Sequence, residues 1–151
     1  MKALIAAVLA CVVLGASAQA RQAAPPATAA VSTPVTFEYY YRIKWGSDLE
    51  FIRLYEKNHA PLLEEMKKAG FVTSMKVEQP FTHLAGGERW DLRVTIVFPD
   101  GHKAITDPEW ERIWAAARKR LYPDQKTFDA EEERRFSLLE EHWDVIVMER
   151  K

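Results

Sequence analysis

Between residues 35 and 45 the sequence alternates without a slip, setting Val35, Phe37, Tyr39, Tyr41, Ile43 and Trp45 against Thr36, Glu38, Tyr40, Arg42 and Lys44. Successive side chains of a strand leave opposite faces of the pleat, so this segment predicts a β-strand with one buried side. The same period returns over residues 71–79, where Phe71, Thr73, Met75 and Val77 alternate with Val72, Ser74, Lys76 and Glu78. It is clearest over residues 90–98, with Trp90, Leu92, Val94, Ile96 and Phe98 on one side. A fourth strand is predicted over 143–149, with Val145 and Val147 against Ile146 and Met148. Four half-buried strands need a cover on one face, and helices supply it.

The first cover is residues 48–69. Leu49, Ile52, Tyr55, Leu62, Leu63 and Met66 recur at helical spacing, and His59 falls in line with them. Ser47 or Asp48 can cap the start, and Gly70 supplies the left-handed stop. Pro61 interrupts this helix, because it has no N–H and its ring meets the carbonyl of Lys57. A bent helix with an inward imidazole leaves room for a ligand. After a Pro99-Asp100-Gly101 turn, Asp107-Pro108-Glu109 opens a second helix whose stripe is Trp110, Ile113, Trp114, Ala117 and Leu121. A third helix is predicted over 128–141, anchored by Phe136 and Leu139, with residues 131–135 as a solvated charged face. The order is an α+β, ferredoxin-like βαββαβ arrangement: a four-stranded antiparallel sheet with helices on one face.

Residues 1–20 read as a signal peptide. Lys2 precedes an apolar run over 3–15, and Ala16-Ser17-Ala18 or Ala18-Gln19-Ala20 offers a small-residue cleavage site. A periplasmic or secreted protein is expected. Val8-Leu9-Ala10-Cys11 also resembles a lipoprotein box, so either processing route stays open. Cys11 is the only cysteine; once it leaves with the leader, disulfides, thiolate metal sites and cysteine nucleophiles are excluded. Residues 21–34, rich in Ala, Pro, Thr, Ser and Gln, form a tether, and 35–151 form one domain. The 21 basic residues are interleaved with 22 acidic ones, so no nucleic-acid footprint is expected, and no membrane association after leader cleavage.

His59 and Tyr41 are the candidate catalytic residues. A neutral imidazole can take or give a proton, and a phenol on the helix-facing side of the first strand can be polarised by it. The competing reading is a core histidine bonded to a carbonyl freed by Pro61. Tyr39, Ile52, Tyr55, His83, Trp90 and Trp114 are the candidate ligand-binding residues. His102 and His142 read as surface groups. No pair of histidines and no His–carboxylate cluster has metal-ligand spacing, and neither phosphate loop nor dinucleotide fingerprint is present, so no metal and no cofactor is expected. Glu38, Arg42, Lys44, Lys76, Glu78, Asp91 and Arg93, with Tyr40 and Thr95, lie on the other face of the sheet, either solvated or lining a barrel between two copies.

A βαββαβ unit whose first helix carries His59-Ala60-Pro61-Leu62 resembles the dimeric α/β-barrel superfamily, and in particular its EthD-like members, which have an H-x-P-L segment late in that helix. The resemblance spans residues 37–149. It implies a homodimer with sheets paired face to face, and a small pocket between each sheet and its own helices. It also implies a small apolar or aromatic ligand. The function then expected is an exported pocket protein, a cofactor-independent acid–base enzyme of cyclase, isomerase or monooxygenase kind acting on an aromatic or polyketide-like compound. The alternatives are a non-catalytic ligand-binding or stress-associated protein, and a haem-binding member with His83 as axial ligand. The leader is checked by intact mass: exported protein is expected to lack about its first 20 residues, and full-length protein confined to the cytosol contradicts export.

Overall fold

The computed structural model describes residues 32–148, so the leader and most of the tether lie outside the described residues. Strand β1 (Val35–Ile43) is followed by α1 (Asp48–Leu54), a π-helical segment (Tyr55–His59) and α2 (Ala60–Lys68). Then come β2 (Ser74–Glu78), β3 (Leu92–Phe98), α3 (Gly101–Thr106), α4 (Pro108–Leu121), α5 (Gln125–Ser137) and β4 (Leu139–Val147). All strand pairs are antiparallel, in the order β2-β3-β1-β4. The expected βαββαβ plan is present.

The sheet follows from the alternation. Leu92, Val94, Ile96 and Phe98 are buried, and their β1 partners Tyr41, Tyr39, Phe37 and Val35 share that face. Trp45 does not continue β1; it lies past the strand end and is 65% exposed. The opposite face carries the charged layer in part. Arg93 bonds Glu78 at 2.7 Å, Lys76 bonds Glu78 at 2.7 Å, and Tyr40 donates to Glu38 at 2.5 Å. Tyr40 also stacks on Trp143 at 5.3 Å. Asp91 and Lys44 leave that layer for structural bonds: Asp91 accepts from the Ile43 amide, and Lys44 donates to the Ser137 carbonyl.

The first helix is bent as expected, by a specific device. The Ala60 amide bonds the Tyr55 carbonyl, five residues back, so one extra residue is wound in ahead of Pro61. The Lys57 carbonyl, which no proline N–H can meet, accepts instead from the Tyr122 hydroxyl at 2.7 Å. An extra residue turns the preceding segment by about 100°. The buried residues ahead of the π segment are therefore Phe51 and Leu54, while Leu49, expected in the stripe, is 82% exposed. The helix ends as predicted at Gly70 (φ 82), where Phe71 N–H bonds Met66 O and Gly70 N–H bonds Lys67 O.

Other boundaries also differ from expectation, and β2 and β3 start at Ser74 and Leu92, three and two residues later than expected. Asp100 does not merely turn the chain: its side chain accepts from the His102 and Lys103 amides and starts the short α3. Helix α5 runs earlier than predicted, capped by Asp124, and its inward residues are Phe128 and Arg135. Phe136 is 51% exposed and Leu139 belongs to β4, so neither anchors that helix as expected. Strand β4 thus begins four residues early, which brings His142 into the sheet opposite Tyr41. The rotated stripe is testable by urea denaturation. Phe51→Ala is expected to cost about 3–5 kcal/mol, and Leu49→Ala within about 0.5 kcal/mol; the reverse ranking contradicts the π turn.

Candidate functional site

Between the sheet and its helices lies a cavity of about 280 Å³, near the low end of the about 300–1,000 Å³ typical of ligand sites. Its sheet side is built by alternation: Tyr39 and Tyr41 from β1, Val94, Ile96 and Phe98 from β3, and His142 from β4. Its helix side is Tyr55 and His59 from the π segment, Leu63 from α2, Trp110, Glu111 and Trp114 from α4, and Arg135 and Phe136 from α5.

Aromatic contacts fix these groups. His142 stacks on Tyr41 with ring centroids 4.3 Å apart and planes within 10°, a cross-strand pair. His59 packs between Tyr55 at 5.4 Å and Trp114 at 5.7 Å. Trp110 and Trp114, one turn apart on α4, stack at 5.9 Å.

Burial sets the protonation states. Desolvation, then the positive charge of Arg135, then His142, hold the His59 imidazole down to about 3, so it is neutral at neutral pH. Desolvation pushes the Tyr41 phenol up to about 12, with Arg135 opposing, and pushes Tyr39 up to about 12 with help from Asp144. The Tyr55 phenol is raised further by the same burial. All three phenols stay neutral donors. A base near 3 and acids near 12 are poorly matched to proton transfer at neutral pH, where the best catalytic values lie close to the ambient pH. As it stands the cavity offers hydrogen bonds and ring faces.

Of the sequence candidates, Tyr39, Tyr41, Tyr55, His59 and Trp114 meet in this cavity. Ile52 does not line it and packs into the core instead. His83 and Trp90 line a separate cleft of about 310 Å³ together with Trp45 and Phe81. His83 is exposed there and lies 5.8 Å from the Trp45 ring, away from the aromatic cavity. Neither residue stands at the mouth of the first cavity, because the long connection folds toward the end of β1. Among the described residues, no cluster of three or more His, Cys, Asp or Glu is placed to hold a metal ion.

Sequence reasoning missed His142, Trp110 and Arg135. Starting β4 four residues earlier, at Leu139, would have placed His142 in the strand, level with Tyr41. Trp110 shares the α4 stripe with Trp114 and could have been read with it. Arg135 carries no such signal: it sits in a charged run, yet it is 1% exposed.

No family model matches the chain, and no curated protein matches it. Solved structures with similarity include an EthD family protein from Bacillus halodurans, at 17% identity and TM-score 0.47, covering 78% of this chain and all (100%) of that one. A NIPSNAP domain protein from Burkholderia xenovorans has 18% identity and TM-score 0.41, covering 78% and 95%. SnoaB, a cofactor-independent oxygenase from Streptomyces nogalater, has 14% identity and TM-score 0.37, covering 80% and 96%.

The depressed His59 value sets a pH dependence. Between about 3 and its ordinary 6.5 the unfolded imidazole is protonated and the native one is not. Unfolding then takes up a proton, so His59 contributes stability above 6.5 that is lost as pH falls toward 3. Replacing it by Gln is expected to flatten that part of the acid-stability curve, measured by urea unfolding across the window. An unchanged slope contradicts a His59 held neutral.

Proposed function

We propose that this protein is exported and binds a small aromatic or polyketide-like compound in the cavity between its sheet and helices. The observation that carries this reading is the cavity itself. It is partly open to solvent, and its wall is mainly rings, with a few polar groups set among them. Ligand sites have this composition, apolar area for affinity and sparse polar groups for orientation. Export rests on the composition of residues 1–20.

Binding is favoured over catalysis by the protonation states. An imidazole held near 3 accepts a proton weakly, so an acid–base role for His59, with Tyr41 as its partner, requires a ligand that restores its basicity. Turnover of cyclase, isomerase or monooxygenase kind is the second reading, supported by His59 and Tyr41 lining one cavity.

The homodimer belongs to the same reading. Val145 and Val147 of β4 stand opposite Glu38 and Thr36, on the sheet face away from the helices, and are 42% and 44% exposed. Exposed apolar surface on that face supports pairing with the sheet of a second copy. Native mass spectrometry of the protein taken from its own host reads subunit number and retained ligand together. The expected result is a dimer mass with an added small aromatic molecule that leaves on denaturation. A monomer that carries nothing, and that takes up no phenolic or polyketide-like compound, overturns the proposal. Turnover abolished in His59→Gln would establish the second reading instead.

A further inference from the structure

One cationic donor of the cavity has no acceptor. The guanidinium of Arg135 can be accounted for edge by edge. Glu132 takes its Nε and Nη2 hydrogens at 3.0 and 2.6 Å. Phe136 and Phe51 lie 4.4 and 5.7 Å from its Cζ, contacts that stabilise the charge but accept no strong N–H bond. Nη1, with both of its hydrogens, is buried and has no partner. The Tyr55 hydroxyl, from another residue lining the same cavity, is buried and has none either.

Buried donors are ordinarily matched, and a charged one most of all. Two unmatched donors among the residues that line one cavity mark the place of an acceptor that arrives with the ligand. Resting on the ligand-binding reading above, we propose that the ligand is an aromatic acid, a ring system bearing a deprotonated oxygen. Both atoms are covered in this structure, so the ligand's oxygen reaches Arg135 Nη1 and Tyr55 Oη as those side chains shift toward it, and the ring system lies among Tyr41, His142 and Trp114.

The electrostatics agree. Burial is the largest influence on Tyr41, Tyr55 and His59, and the Arg135 charge acts on all three in the sense of a positive neighbour. Three carboxylates oppose it. Glu132 is already paired with Arg135, Asp144 acts on Tyr39 and Tyr41, and Glu111 stands at the cavity wall. The pairing also explains why Glu132 takes only one edge: a side-on carboxylate orients the arginine while leaving its end free.

The test compares 2-naphthoate with its neutral isostere 2-naphthamide by isothermal titration calorimetry on the exported protein. Both probes offer the same ring area and differ in the charge of one group. Naphthoate is expected to bind about tenfold or more tightly than the amide. Glu132→Gln, which removes the competing carboxylate, is expected to widen that ratio. The double variant Arg135→Gln with Glu132→Gln, which leaves no unpaired charge, is expected to bring it to about one. Equal binding of the two probes to the wild-type protein overturns the acid while leaving the pocket reading standing. Binding of neither overturns both. A preference for naphthoate that survives in the double variant overturns the role of Arg135; should that variant not fold, an unwidened ratio in Glu132→Gln does so.

Discussion

The carbonyl of Lys57 governs the helical layer. Pro61 cannot donate to it, so the chain winds in an extra residue and the Tyr122 hydroxyl takes the vacated acceptor. Tyr122 and Lys57 meet at the surface, where water can also serve the carbonyl, so the extra residue rather than this bond carries the larger consequence. The consequences spread in both directions along the helix. Upstream, Phe51 and Leu54 are turned onto the sheet and Leu49 away from it. Downstream, Leu62, Leu63 and Met66 stay in the core, and His59 at the junction becomes part of the cavity wall. The bend also ties the first helix to the last ones, since Tyr122 closes α4, and Asn58, within the π segment, donates to Glu131 of α5 at 3.0 Å.

The cavity formed there is a place of neutral rings and one buried cation. Removing water raises the phenols and lowers the imidazole, which leaves them uncharged across the physiological range. Arg135 brings the cation, and Glu132 offsets its charge. Its field is strong for the same reason the phenols are raised, since low dielectric magnifies both desolvation and attraction. On the proposed reading, a site with this balance selects for shape and for one acceptor position, and proton transfer would need the ligand to alter it.

Much of the architecture was legible in the sequence. Period-two alternation placed β1 and β3 because one face of each is buried and the other is polar, and Gly70 and Asp107-Pro108 marked helix ends whose backbone bonds are local. The site was legible only in part. Tyr39, Tyr41, Tyr55 and Trp114 were within reach because each lies on the buried face of a well-marked element. His142 was hidden by a strand edge read four residues too late, at a point where Glu140 and Glu141 blurred the alternation. Arg135 was hidden by its neighbours, for a run of charges on a helix is ordinarily solvated. His83 and Trp90 were misplaced because a connection between strands has no period to fix its direction.

By itself the sequence determined the order of elements, the inward face of the strands, and the fact of a bend before Leu62. Those depend on residues within a turn or two of one another, where sterics and hydrogen bonding act locally. Only the tertiary structure decided how the bend was made, which rings met across it, and that a cation lay buried among them. These outcomes required Tyr122 to reach Lys57, β4 to register His142 against Tyr41, and α5 to press Arg135 against Phe51. Each joins segments far apart in the chain, and long-range packing has no signature in local spacing.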